Sequence, residues 1–489
     1  MSITSYRAAL LLGAAAFTFG GAPAQAQRPT PRPAPTAGPP TDSLPLALAD
    51  AVARALDVGE EVRLADAQLE ATDAQVTVAR AAGLPQLRLN SGYTQVLENA
   101  RANIVGAVFG QNYNYNGNVN LSQPLFQGGR VVAGLRAARN ARLAGRESIT
   151  EVRAQLAVDV QRAYLDAQAA DRLVAIQDTN LAVSDARVRQ LEQLARGGRA
   201  ARFDVLRARV ERANLEPLAV QARNDRELAY VQLQRLLNLP ADRPLRLTTQ
   251  VPTDSASVAR VLARAVADTT GAAARAPEGR ALVRSAAAVV EARRAAVGVA
   301  RADRLPSVSG FVQFGVLALP SSAAFPTRLG QTSSAFCPPG SPATRVCQNN
   351  GFFQDRSVGL TVSWPLFDGL RTRGNIELAE SQARTAELQL AQTREQAAVE
   401  AATARAALRR AGTLATAQRQ TVAEATEAFR LAELRFARGL GTQLEVTDAQ
   451  FALLTAQTNA LRATYDVYLA AADLARATGQ PIPLAGQTP

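Results

Sequence analysis

The 489-residue chain contains no histidine, and all 54 of its basic residues are arginine because lysine does not occur either. Without histidine there is no Ser-His-Asp or Cys-His machinery, and without lysine there is neither a phosphate-loop lysine nor a Schiff-base amine. Two cysteines are too few for a structural zinc site. No apolar run reaches the roughly 20 residues that cross a bilayer as a helix. A hydrolase working with Asp and Glu alone, or a site of Ser, Thr and backbone groups, stays open on these grounds. The expectation is nevertheless a protein that is not an enzyme and carries no cofactor and no metal.

What is present is a chain 47% apolar and 20% charged, with a net charge of +12. That is enough apolar material for a large core or several smaller ones. Residues 1–26 carry Arg7, an apolar run from Ala8 to Phe17 and a small-residue end, Ala24-Gln25-Ala26, the layout of a secretory signal. Cleavage is expected after Ala26, and no cysteine follows there to accept a lipid. A basic balance in an exported protein argues against nucleic acid as the partner. Export also favours a local disulfide between Cys337 and Cys347 in their Pro/Gly/Ser-rich stretch. Residues 27–45, with seven prolines from Pro29 to Pro45, read as an extended leader without packed structure.

The chain then repeats itself. Leu84-Pro85-Gln86-Leu87 returns as Leu305-Pro306-Ser307-Val308, 221 positions on, and Gln123-Pro124-Leu125-Phe126-Gln127-Gly128 returns as Trp364-Pro365-Leu366-Phe367-Asp368-Gly369, 241 positions on. The difference places an insertion of 20 residues in the second copy, in the region that holds both cysteines. Ala195-Arg196-Gly197 matches Ala437-Arg438-Gly439 at an offset of 242. Two copies of one plan, at 46–250 and 251–478, are therefore expected, followed by a tail at 479–489.

Within each copy the periodicity changes in the same order. An Ala-rich helical stretch covers 46–82 and is stopped by Gly83-Leu84-Pro85; helices at 254–270 and 277–303 take that place in the second copy. Strands follow at 86–97 and 111–122, then at 307–318 and 355–365. From Asn112 to Ser122 Asn and Ser alternate with Tyr113, Tyr115, Gly117, Val119 and Leu121, and Ser357, Gly359, Thr361 and Ser363 alternate with Val358, Leu360, Val362 and Trp364. This period of two gives one polar and one apolar-aromatic face. Proline-free stretches of 68 residues come next, 128–195 and 369–436, each about 100 Å long as helix. Narrow apolar stripes such as Val152, Leu156, Val160 and Tyr164 mark them as coiled-coil-like. Gly-containing breaks lead into return helices at 202–239, which Pro217 is expected to bend, and 442–478.

Four short strands on helices this long need partners, because a two-stranded hairpin is marginal in water. A ten-residue pattern with one lipid-compatible face is that of a membrane β-barrel. A periplasmic hairpin packed on the helices explains the strands alone equally well, so a soluble periplasmic coiled-coil scaffold or adaptor is the competing reading.

At this point residues 46–478 resemble a known family, the TolC-like outer membrane efflux proteins of Gram-negative bacteria. The resemblance rests on the duplicated Leu-Pro ends at Pro85 and Pro306, on Ser357 through Gly369, and on Gly439 through Gln450. It implies a mainly α fold with a small β part. Long antiparallel helical hairpins would form an α-barrel tunnel, and each chain of a homotrimer would give four strands to one transmembrane barrel of about 12 strands. The segment 254–270 and the C-terminal end would form a belt around the tunnel. The implied role is a passive exit duct for efflux or type I secretion in the cell outer membrane, reaching into the periplasm. The implied partners are outer-membrane lipid, a periplasmic adaptor (membrane fusion) protein and an inner-membrane pump or ABC exporter.

The resemblance also implies a pore constriction. Glu445 and Asp448 match the family's constricting acids, three apart on one helical face, and Asp204 and Phe436 complete the candidate set. Gly441 and Phe436 replace the Arg and Tyr that lock the gate in that family, leaving Arg438, Arg199 and Arg202 as candidate partners for the acids. Alternatively the acids are solvated groups near a helix N-terminus, favoured there by the macrodipole. The hairpin ends, Arg196, Gly197, Gly198, Arg438, Gly439 and Leu440, are the candidate adaptor contacts.

Overall fold

The structure is a computed structural model that describes residues 43–98, 113–272, 276–318, 353–483 and 485. The signal segment, the leader up to Asp42, the start of the strand expected at 111, Cys337 and Cys347 lie outside the described residues.

In chain order the elements are β1 (Leu44–Leu46), α1 (Leu48–Val58), α2 (Glu60–Ala81), β2 (Gln86–Gln95), β3 (Tyr113–Gln127), α3 (Arg130–Arg196) and α4 (Arg202–Leu236). Then come β4 (Leu245–Leu247), α5 (Ser255–Ala272), α6 (Ala276–Gly279), α7 (Ala281–Ala302), β5 (Ser307–Ala318), β6 (Phe353–Ser363), α8 (Arg371–Ala437) and α9 (Gln443–Thr478). The fold is mainly helical with a small sheet content, as the periodicity implies.

α3 and α8 are each 67 residues long and begin 241 positions apart, and α4 and α9 begin 241 positions apart. α3 packs along α4, α8 along α9, and α7 lies against both long helices. The helices start at paired αL turns: Gly128 and Gly369 have φ of 59° and 67°, followed by Gly129 at 83° and Leu370 at 70°. Leu370 therefore holds, with a side chain, a conformation that its counterpart meets with glycine.

Three expectations need correction. The stretch 46–82 is two helices, because Gly59 is extended (φ −61°, ψ 132°) and separates α1 from α2. The leader's last residues are not loose: Leu44–Leu46 pairs in parallel with Leu245–Leu247, a three-residue match too short to show a period. β3 does not end at Ser122 but continues to Gln127, absorbing Pro124 at a register shift between Pro124 and Phe126, where a missing N–H is tolerated. α4 runs uninterrupted through Pro217.

The core sits midway along the long helices. Leu156, Val160, Tyr164 and Ala167 of α3 pack with Leu48 and Val52 of α1, Leu233 of α4, Val258 of α5 and Tyr465 and Tyr468 of α9. The Tyr164 hydroxyl donates to the Leu46 carbonyl at 3.1 Å and accepts from the Thr249 N–H at 3.0 Å, tying both short strands to α3. Gln168 extends this, donating to the Thr249 carbonyl at 2.8 Å and accepting from the Val251 N–H at 3.2 Å. Where α5 crosses α8, a Cβ on Gly412 would lie 3.0 Å from the Leu262 methyls, so any larger residue there would have to displace the Leu262 side chain.

Beside this core lies a buried charge cluster. Arg280, at the start of α7, contacts Glu151 of α3 at 2.8 Å and Glu400 of α8 at 2.5 Å, and Arg476 of α9 approaches the same two carboxylates at 3.2 and 3.9 Å. One cluster thus joins four helices from both copies.

Candidate functional site

Two surfaces can carry function: the faces of the four-stranded sheet and the far ends of the helical hairpins. The sheet is antiparallel in the order β2-β3-β5-β6. Directly opposed residues share a face, so the register assembles the alternation of single strands into two surfaces. One carries Arg88, Asn90, Asn116, Asn118, Asn120, Gln313, Asp355 and Ser357, with an Asn90 to Asn118 amide bond of 3.1 Å. The other carries Leu87, Leu89, Leu121, Val312, Phe314, Val358, Leu360 and Val362, all exposed. Phe311 breaks the pattern, lying on the polar face over Gly359, where a Cβ would come within 2.8 Å of its ring.

Aromatics gather at both ends of the apolar face. Tyr93 and Tyr115 pair at 4.7 Å between ring centroids, and the Arg356 guanidinium lies 5.3 Å from the Phe314 ring centre. At the helix-proximal end, Trp364 donates its indole N–H to the Arg304 carbonyl at 3.1 Å, and Phe126, Leu366 and Phe367 are exposed. Ten residues tilted by about 40° span roughly 25 Å, the height of an apolar membrane band. Among the described residues β2 and β6 each have one unpaired edge.

The hairpin ends are two versions of one turn. After α3, the Gly198 N–H donates to the Ala195 carbonyl at 3.1 Å and the Arg199 N–H to the Leu194 carbonyl at 2.8 Å. After α8, Gly439 donates to Phe436 at 3.0 Å and Leu440 to Arg435 at 2.9 Å. Both turns place one αL glycine, Gly198 at φ 71° and Gly439 at φ 73°, the helix-ending Schellman arrangement. Gly439 therefore corresponds to Gly198 and not to Gly197, and the offset of 242 is one residue too long. At the true offset of 241, Asp204 corresponds to Glu445 and Arg207 to Asp448.

Glu445 and Asp448 are both exposed on the first turns of α9, with Val446 buried between them. Thr442 caps this helix, accepting the Glu445 N–H at 3.3 Å; Ala201 stands in its place on α4 and supplies no cap. The cation beside Glu445 is Arg435, at 3.6 Å, and not Arg438, Arg199 or Arg202. Arg435 also donates to the Leu440 carbonyl at 3.3 Å, so one side chain braces the turn and the acid. Asp204 is half-buried at the start of α4.

Phe436 does not stand with the carboxylates. It packs half-buried on the cluster of Leu191, Val205 and Ala208 in the first hairpin, with the Arg187 guanidinium 5.4 Å from its ring centre. Arg187 also pairs with Glu433 at 2.9 Å. A second link joins the return helices: the Thr447 hydroxyl donates to Glu211 at 2.8 Å, and Glu211 accepts from Arg207 at 3.1 Å. Arg187, Glu433, Arg435, Glu211 and Thr447 escape sequence reasoning because their partners lie on other helices.

Fold and surfaces together define a protein that presents a lipid-compatible sheet at one end of helices about 100 Å long. The chain belongs to the outer membrane efflux protein family, whose pattern it matches over residues 51–239 and 273–480. It is an outer membrane protein. It is similar to the outer membrane protein OprJ of Pseudomonas aeruginosa, 27% identical over 353 residues, or 72% of this chain and 67% of that protein. Its fold is that of the outer membrane protein VceC of Vibrio cholerae (TM-score 0.70, 20% identity, 89% of this chain and 97% of that one). The open state of the MtrE outer membrane channel of Neisseria gonorrhoeae is similar too (TM-score 0.67, 20% identity, 90% and 91%). Family and neighbours are channel proteins rather than enzymes.

Proposed function

We propose that three copies of this chain close a duct through the outer membrane and across the periplasm. It would be the passive exit of a tripartite efflux or type I secretion system, working with a periplasmic adaptor and an inner-membrane pump or ABC exporter. The observation that carries this reading is the sheet. An exposed apolar face, a polar opposite face and two open edges are untenable in lipid unless neighbouring copies pair with the edges. Four strands cannot close alone, since membrane barrels need about eight or more.

The helical part supports the same assembly. Phe203, Leu206, Val210, Val220 and Val231 are exposed along α4 at positions that continue a three-and-four spacing, an unpartnered seam of coiled-coil type. A neighbouring copy would cover it. The signal at 1–26 would direct export, and each chain would bring Glu445 and Asp448 to the periplasmic mouth. Carboxylates crowded in a narrow tube favour cations. Phe436 would act from outside the lumen, holding the second hairpin against the first, and the turns at Gly198 and Gly439 would meet the adaptor.

Single-channel conductance in planar bilayers tests this, wild type beside Glu445→Gln/Asp448→Asn. Discrete cation-selective steps are expected, with selectivity weakened in the variant. A protein that stays soluble and never inserts overturns the duct; steps with unchanged selectivity overturn the gate alone.

A further inference from the structure

The two copies fasten the sheet to the helices with the same hydrogen bond and with different side chains. In the first, the Gln123 amide donates to the Gly83 carbonyl at 3.0 Å; in the second, the Trp364 indole N–H donates to the Arg304 carbonyl at 3.1 Å. The duplication pairs these positions, Gln123 with Trp364 at 241 and Gly83 with Arg304 at 221. The fastening therefore needs only a side-chain donor and a backbone carbonyl. An indole ring and a guanidinium are more than it uses, and their presence in the second copy calls for another reason.

Their surroundings supply it. Trp364 continues the alternation of Val358, Leu360 and Val362 and is 58% exposed; Leu366 and Phe367 after it, and Leu305 after Arg304, are exposed too. An apolar ring with one polar edge suits the boundary between lipid and water. Around Arg304 the charge is unbalanced. Glu380 of α8 pairs with Arg301 at 2.7 Å, and after that hydrogen bond the charges of Arg301, Arg384 and Arg304 also hold its carboxyl below its ordinary value. One carboxylate thus answers three guanidiniums. The acids nearest in the chain are engaged elsewhere: Asp303 pairs with Arg130, Glu377 pairs with Arg373 at 2.9 Å, and Asp368, beside Arg371, accepts the Thr372 N–H at 2.9 Å. Arg304, exposed next to the ring, is left in surplus.

We propose that Trp364 and Arg304 form a binding site for an anionic phospholipid of the periplasmic leaflet, with the ring against the glycerol region and the guanidinium against the phosphate. The proposal rests on the duct reading above. It commits to the periplasmic leaflet because the pair lies at the helix end of the sheet, from which helices about 100 Å long extend. A zwitterionic lipid offers the ring the same apolar contact but carries its own ammonium beside the phosphate, so the surplus charge of Arg304 gains less from it. Gly83 brings no cation to the corresponding place in the first copy, so the site belongs to the second copy alone.

Trp364 is the chain's single tryptophan, so its fluorescence reports on the lipids that touch this site. The purified channel is reconstituted into vesicles of brominated phosphatidylcholine, a quencher on contact, in which unbrominated phosphatidylglycerol replaces a rising fraction. Recovery of the fluorescence gives the relative binding constant of the two lipids at the ring. A constant of about five in favour of phosphatidylglycerol is expected, the factor that one arginine contributes near an anionic lipid, and it should shrink as salt rises. Arg304→Ser is expected to bring the constant to about one and Arg304→Glu to take it lower. Neither change touches the hydrogen bond from Trp364, which uses the backbone carbonyl of residue 304. A ring that brominated lipid does not quench, a wild-type constant of one, or a constant unchanged in both variants overturns the proposal. Conductance of the same preparation reports separately on the duct, so a channel that conducts without lipid preference loses the site and keeps the duct.

Discussion

Arg280→Met should loosen the joint between the two copies, and the structure bounds by how much. The Arg280 side chain is 3% exposed and holds Glu151 and Glu400 at 2.8 and 2.5 Å. Removing one partner of a buried pair costs about 3–5 kcal/mol. Here Arg476 stays beside both carboxylates, and these retain 17% and 31% exposure, so part of the lost charge is made good by Arg476 and water. The expected loss is about 2–3 kcal/mol. With an unfolding entropy near 2.1 cal/mol/K per residue, this lowers the melting temperature by about 2–3 °C. The pH dependence has a definite sign. Burial alone would raise the Glu400 carboxyl, but the Arg280 hydrogen bond and charge outweigh it and hold the carboxyl below its ordinary value. A carboxyl depressed in the folded state stabilises above its unfolded pKa, and this contribution is lost as pH falls through the folded value. The gap between wild type and variant should therefore be widest near neutrality and close as pH falls below about 4.5. Melting of the solubilised protein, followed by circular dichroism from neutral to acid pH, measures both. A variant as stable as wild type at neutral pH, or a gap unchanged in acid, refutes the reasoning.

Other substitutions probe the remaining parts. Leu370→Gly should stabilise by about 1 kcal/mol, because Leu370 holds φ at 70°; a lower melting temperature would show that its side chain contributes more than the strain costs. On the sheet, Leu360→Arg, on the apolar face, should impair insertion by about 2–4 kcal/mol, whereas Asn118→Asp on the polar face should leave membrane fractionation intact. Equal recovery of both variants in the membrane would reverse the assignment of faces.

Much of this architecture is legible in the sequence because it rests on period. Alternating Asn and Tyr from 113 to 121 place a strand and its two faces, and a proline-free stretch of 67 residues is a helix before any contact is known. What escapes is whatever period does not encode. β1 and β4 have three residues each, and Leu44-Pro45-Leu46 reads as the end of a proline-rich leader until Leu245–Leu247 lies beside it. Arg435 has no mark of being Glu445's partner, since its place is set by the turn between them. The one-residue error at the hairpin ends is the most instructive. Matching by letters pairs Gly197 with Gly439, whereas positive φ pairs Gly198 with Gly439, and only the second pairing sets Asp204 opposite Glu445. Backbone conformation is thus the safer ruler for a duplicated chain, and once the copies are aligned by it their differences become readable. The scaffold positions agree, with glycine at 128 and 369 and at 198 and 439. The divergence falls at Ala195 against Phe436, Arg202 against Gln443 and Arg207 against Asp448. A repeat that served only to span distance would have no reason to separate basic from acidic in the same turn. The first turn carries Arg196, Arg199 and Arg202 where the second carries Ala437, Leu440 and Gln443.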